Sequence, residues 1–188
     1  MPNWRKVHEI MPRKYVCGYC GNTVMSNRGY WDDQLQQGIW ICPCGNPTFF
    51  DSKNQYPSYP FGNKIEGIAE AGVRELYDEA RRCTAAQAFT AAVLVCRKLL
   101  MHIAVEKGAP EGKSFIEYVE FLSDNHYVPP DGKGWVDYIR KKGNEATHEI
   151  VLMKQEDATD LISFTEMLLR FVYEFPSKIK PSGEETQA

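Results

Sequence analysis

Apolar side chains return every three or four positions over residues 85–107. Phe89, Ala92, Val93, Cys96, Leu99, Leu100 and Ile103 share one face, and Gly108 and Pro110 end the run. The same period recurs in four other places. Residues 63–82 put Ile65, Ile68, Gly72 and Leu76 on one stripe. Ser114, with Glu117 three residues on, has the pattern of a capping box and opens a helix carrying Phe115, Tyr118, Val119 and Leu122, ending near Asn125. Residues 135–148 place Trp135, Ile139, Gly143 and Ala146 on one side, with Ile150 following. A last helix opens near Asp157, with Asp160 three residues later. It carries Leu161, Ile162, Phe164, Leu168, Leu169 and Val172, and Pro176 closes it. Five helices with short links predict a bundle.

The pattern differs before residue 51. Lys14-Tyr15-Val16 and Gly38-Ile39-Trp40-Ile41 are short aromatic and β-branched pieces, each running into a cysteine pair, and they predict strands. Between this region and the helices, Asp51–Gly62 holds Pro57, Pro60 and polar residues and reads as a linker. The expected organisation is therefore a metal module at 1–50, a linker at 51–62, a helical domain at 63–178 and a disordered polar tail at 179–188, with the chain mainly α.

The cysteines give the module its chemistry. Cys17 and Cys20 stand two residues apart, Cys42 and Cys44 one apart, and the insert between the pairs is long enough for a hairpin. Four thiolates at this spacing suit a closed tetrahedral, structural Zn2+ site on a zinc-ribbon-like module. Gly21 and Gly45 follow the pairs and permit tight knuckle turns. So short a segment has too little apolar material to fold alone, and metal binding supplies the missing free energy. Cys83 and Cys96 lie in helical stretches and read as small core residues.

Composition narrows the function. The chain has 188 residues, a net charge of -3 and 43% hydrophobic content, enough for one core and a small satellite domain. This charge gives no general affinity for polyanions, so nucleic-acid binding needs a local patch. Arg5, Lys6, Arg13, Lys14 and Arg28 bias the module towards basic, and Trp4, Tyr15, Tyr19, Tyr30, Trp31 and Trp40 are candidates to stack on bases. The alternative is that these aromatics form the module's own core. No long apolar run spans a bilayer, and the first residues lack the apolar stretch of a secretory signal, so a cytoplasmic location without membrane contact is expected.

The side of the fourth helix opposite its apolar stripe carries Lys141, Asn144, Glu145 and His148 as neighbours, with Arg140 flanking. This combines a group that titrates near neutrality with cations. A solvated helix face is the plain alternative. Gly143 in mid-helix costs about 1 kcal/mol against alanine and points to close approach of another helix.

At these residues a resemblance emerges. The run Ile139–His148 with Phe171-Val172-Tyr173-Glu174-Phe175-Pro176 downstream resembles a bacterial helical domain also found attached to restriction enzyme subunits, and is similar to the HEPN superfamily. Cys96–Ala104, with Arg97, resembles the family's central helix, and the likeness covers roughly residues 63–178. With a zinc module in front, the whole resembles the zinc-finger HEPN ribonucleases of phage defence. The resemblance implies a HEPN-like helical domain acting as a metal-independent endoribonuclease, working as a homodimer or higher homo-oligomer under a trigger such as a phage protein. It implies His148 as the catalytic histidine and Asn144 as the polar residue, while Gly143 stands where the family has its arginine. Arg140, about 12 Å from His148 along a helix axis, or Arg97 from the central helix, would supply the cation. RNA would be bound by Arg13, Lys14, Arg28 and Lys141. The rival readings are a non-catalytic zinc-containing adaptor and a nucleic-acid-binding accessory protein of a restriction or defence system.

Overall fold

The computed structural model describes residues 6–128, 134, 136–139 and 152–179. The chain divides into two compact units, Met1–Phe61 with Arg81–Ala88, and Gly62–Ala80 with Phe89–Ala188.

The first unit is built on one antiparallel sheet. Its strands are β1 (His8–Val16), β2 (Thr23–Asp32), β3 (Gln37–Ile41), β4 (Pro47–Phe50) and β5 (Gln55–Tyr56), hydrogen-bonded in that order. Pairing of Gly29 with Trp40 and of Trp40 with Thr48 fixes the register of the middle strands. Tyr15, Trp40 and Phe50 form the core together with Cys17 and Cys42. Their rings meet edge to face, Tyr15–Phe50 at 5.2 Å and Trp40–Phe50 at 5.4 Å. Aromatic pairs in this geometry add to what burial alone provides. The core is small, and it is anchored directly on two of the cysteines.

The expectation of a mainly α chain gives way here to a mixed one, since the described residues contain a five-stranded antiparallel sheet as well as α-helices. Strand β1 is longer than the sequence pattern implied because a bulge between Glu9 and Arg13 interrupts its alternation. The segment read as a linker also contains structure. Strand β5 lies in it, Gln55 Nε2 donates to the Val16 carbonyl at 2.7 Å, and Ser58 N–H donates to Ala85 O at 3.2 Å. Pro57 and Pro60 point to a break, but Gln55 ahead of them and the Ser58 backbone between them are used as hydrogen-bonding partners.

In the second unit the helices are α1 (Ala71–Ala85, whose last turn counts with the first unit), α2 (Phe89–Glu106), α3 (Phe115–Asp124), α4 (Gln155–Leu169) and α5 (Phe175–Lys178). A π-helical turn, Arg170–Glu174, joins α4 to α5, and residues 136–139 are helical. Helix α2 packs on both α3 and α4 and buries Cys96, Leu99, Leu100 and Ile103 completely. From α4, Ile162, Phe164, Leu168 and Leu169 are equally buried. Ser114 caps α3 in a full capping box with Glu117. Helix α1 starts at Ala71 rather than near residue 63. Gly67, at φ +75°, takes the chain out of helical geometry, yet Ile65 and Ile68 are still buried. Asn63 is fixed to α4, its backbone N–H donating to Glu166 Oε2 at 2.8 Å and its side-chain amide to Oε1 at 2.9 Å. Pro176 does not end the helical run but sits at the start of α5, directly after the π-helical turn. The fourth helix expected at 135–148 is described only at 136–139.

Candidate functional site

The four cysteines are brought together by two turns. The first knuckle leaves β1, and Gly21, at φ +68°, donates its N–H to Cys17 O at 2.8 Å. The second leaves β3, and Gly45, at φ +90°, donates to Cys42 O at 2.8 Å. Both glycines adopt a left-handed backbone that a side chain would strain. The sulfurs converge, with Cys17 Sγ 3.9 Å from Cys44 Sγ, Cys20 Sγ 3.8 Å from Cys42 Sγ, and all four within 4.8 Å of one another. A tetrahedron with Zn–S bonds of about 2.3 Å has edges of about 3.8 Å. The cluster therefore has the size to hold a metal ion such as zinc.

The surroundings tune the thiols unequally. Burial pushes the Cys17 and Cys42 thiols up. Burial also raises Cys44, but the Asn46 backbone N–H and the Cys42 and Asn46 side chains outweigh it and hold Cys44 at about 7. Asn46 Nδ2 lies 3.6 Å from Cys44 Sγ. Such N–H groups aimed at sulfur favour the thiolate, the form that binds metal.

The basic residues expected to meet RNA have different settings. Arg13, Lys14 and Arg28 are exposed on β1 and β2. The Arg13 guanidinium lies 3.9 Å from the centre of the Phe50 ring and 5.1 Å from that of Trp40, so it is held flat on the aromatic core. Of the aromatics, Tyr15 and Trp40 are buried core residues, while Tyr19 and Trp31 are 48% and 42% exposed.

Arg97 is half-buried on α2, with its guanidinium 4.4 Å over the Phe115 ring, and burial lowers its pKa. Phe115 lines a small cavity together with Val93, Tyr138, Ile139 and Met153. Arg97 is thus stacked on a ring that shares a cavity with Tyr138 and Ile139 of the described helical residues 136–139. Arg140, Lys141, Asn144 and His148 lie outside the described residues.

Sequence reasoning missed two groups. Glu70, His102 and Glu106 converge, with His102 Nε2 3.1 Å from Glu70 Oε1, and Tyr173 donates to Glu106. The spacing of His102 and Glu106, one helical turn, was a visible signal; the arrival of Glu70 and Tyr173 was not. The second group is a groove beside the bulge of β1, lined by Met11, Trp31 and Trp40 among others. Its signal was Pro12, which inside a strand marks an edge or a bulge.

A family model described as "Domain of unknown function (DUF4145)" matches residues 78–185, more than half of the chain. The chain belongs to this family. No curated protein and no solved structure matches it. The DUF4145 match contains Arg97, Arg140, Asn144 and His148, whereas the four cysteines precede it. Among the described residues no helix is long and apolar enough to cross a membrane.

Proposed function

We propose that this DUF4145 protein is a metal-independent endoribonuclease of HEPN type, its cysteine module a structural Zn2+ site that binds RNA, acting in antiphage defence as a homo-oligomer controlled by a trigger such as a phage protein. The observation that carries the reading is the place of Arg97. Its guanidinium is stacked on Phe115, whose ring lines a small cavity together with Tyr138 and Ile139, and Arg140, Asn144 and His148 follow those residues in sequence.

RNA brings its own nucleophile, the 2′-hydroxyl. His148 then serves as general acid or base, a role that typically contributes about 10²–10⁴-fold. Arg97 or Arg140 stabilises the charge that builds on the phosphate, since a guanidinium stays charged and can engage two oxygens at once. Asn144 orients the imidazole or a phosphate oxygen. The 2′-oxygen bonds to phosphorus as the bond to the 5′-oxygen breaks. The proton lost from the 2′-hydroxyl is matched by one delivered to the departing oxygen, and the fragments end in a 2′,3′-cyclic phosphate and a 5′-hydroxyl. The zinc centre takes no part in the chemistry, because four thiolates leave no open coordination position. Exposed Arg13, Lys14 and Arg28 make the contacts to the RNA backbone.

Incubating the purified protein with single-stranded RNA in magnesium-free buffer tests this. Fragments ending in a cyclic phosphate are expected, with a loss of at least 10²-fold in His148→Ala. Cleavage that survives His148→Ala sinks the assignment.

One observation favours a second reading, a non-catalytic adaptor. Stacking on Phe115 and partial burial are what a structural arginine also shows, and Gly143 occupies the family's arginine position. On that reading wild type yields no fragments.

A further inference from the structure

We propose that the groove beside β1 is a pocket for one unstacked nucleobase of a single-stranded RNA, closed on one side by the Trp31 ring. The inference rests on the RNA-binding reading above and adds where a base goes. Two extra residues in the bulge of β1 make the wall, because Glu9 and Arg13, four apart, face Arg28 and Ser26, only two apart. Ile10 stays packed on the core, and Ile10, Met11 and Pro12 line a cavity of about 600 Å³ together with Trp31 and Trp40. This is within the size range of small-ligand sites.

The walls are prepared for a flat occupant. Trp40 Nε1 donates to Met11 O at 3.0 Å, tying the bulge to the core. Trp31 Nε1 donates to Asp33 Oδ1 at 2.8 Å, which fixes the indole plane, and the ring meets Trp40 edge to face at 5.9 Å. Gly38 lies beneath both: a Cβ there would come 2.7 Å from each indole. The residue is thus kept small where two rings cross the sheet. Met11 is 82% exposed and Trp31 42%, a large apolar surface left open to solvent on a small module.

The polar groups decide between occupants. Arg13 lines the groove, held by its contact with Phe50. Glu9, held by the Asn27 side-chain amide at 2.7 Å, adds an acceptor at the rim. An aliphatic peptide side chain would cover Arg13 and Glu9 without pairing them, at a desolvation cost. A nucleotide has a flat face for Trp31, amino edges for the Glu9 carboxylate and a phosphate for Arg13. Stacking on such a ring tolerates any base.

The test uses the full-length, zinc-loaded protein, carrying His148→Ala throughout so that the proposed cleavage does not consume the probe, and two labelled oligomers of equal length, a mixed-sequence single-stranded RNA and its abasic counterpart, with affinity read by anisotropy. Trp31→Leu keeps apolar bulk but removes the aromatic face, and Trp31→Phe keeps the face. Trp31→Leu is expected to weaken binding of the base-bearing RNA roughly tenfold, from the usual worth of one stacked base. It should leave the abasic oligomer unchanged, and Trp31→Phe should stay close to the protein with Trp31 intact. Equal loss on both oligomers, or no loss on either, overturns the pocket while RNA binding by the module stands. A protein with Trp31 intact that binds neither oligomer overturns the pocket and the RNA-binding reading together.

Discussion

Gly38 illustrates how one residue holds the first unit in shape. Helical and strand propensities disfavour glycine, yet two indoles occupy the space its side chain would need. Gly38→Ala is expected to destabilise the module by about 1–3 kcal/mol, the usual cost of overpacking, visible as a lower urea midpoint with an unchanged slope. Arg97 makes the opposite point. As a letter in a helical run it was a candidate catalytic cation, and its contact with Phe115 shows that the same side chain also serves packing. The cysteines were fully legible, because thiolate pairs on turns have few other uses at this spacing. Trp31 and Trp40 were not, since only the fold puts one indole outside and the other inside.

Among the elements, α3 was the most readable. Ser114 and Glu117 form a local motif, and Ser114 N–H donates to Glu117 Oε2 at 2.8 Å. The backbone N–H and hydroxyl of Ser114, then Lys113, hold the Glu117 carboxyl at about 2. Its pKa is depressed on folding, so its contribution is present above the ordinary glutamate value of about 4.3 and is lost as pH falls through about 2. The stability difference between wild type and Glu117→Gln should therefore be present at pH 6 and vanish towards pH 2, measured by urea melts. Strand β1 and helix α1 were less legible. A bulge breaks the alternation of the first, and in the second an apolar stripe belonging to extended chain at Ile65 and Ile68 imitates a helical turn.

At the scale of the whole chain, the two units differ in the cores they possess. The second buries α2 between α3 and α4 and owes its folding to apolar area. The first has a core of three rings and two cysteines. Metal binding is worth on the order of 10 kcal/mol in comparable modules. On the proposed zinc assignment, removing the metal with a chelator should abolish the near-UV circular dichroism of Tyr15 and Trp40, and restoring it should recover the signal. Because the Cys17 and Cys42 thiols are pushed up by burial and must lose protons to bind metal, affinity should fall from pH 8 to pH 6. A module whose aromatic signal ignores the chelator would show that its core suffices.

Local chemistry was decided by the residues alone: the two knuckles, the α3 cap and the amphipathic face of α2 each depend on neighbours within a few positions. Tertiary structure decided what depends on distant partners, namely the fifth strand in the supposed linker, the groove made by a bulge against two indoles, and the pairing of Arg97 with Phe115. Short-range patterns repeat in sequence because helical and turn geometry repeat. A pocket or a stacked cation arises only when chain segments far apart in sequence meet, and no periodicity records that meeting.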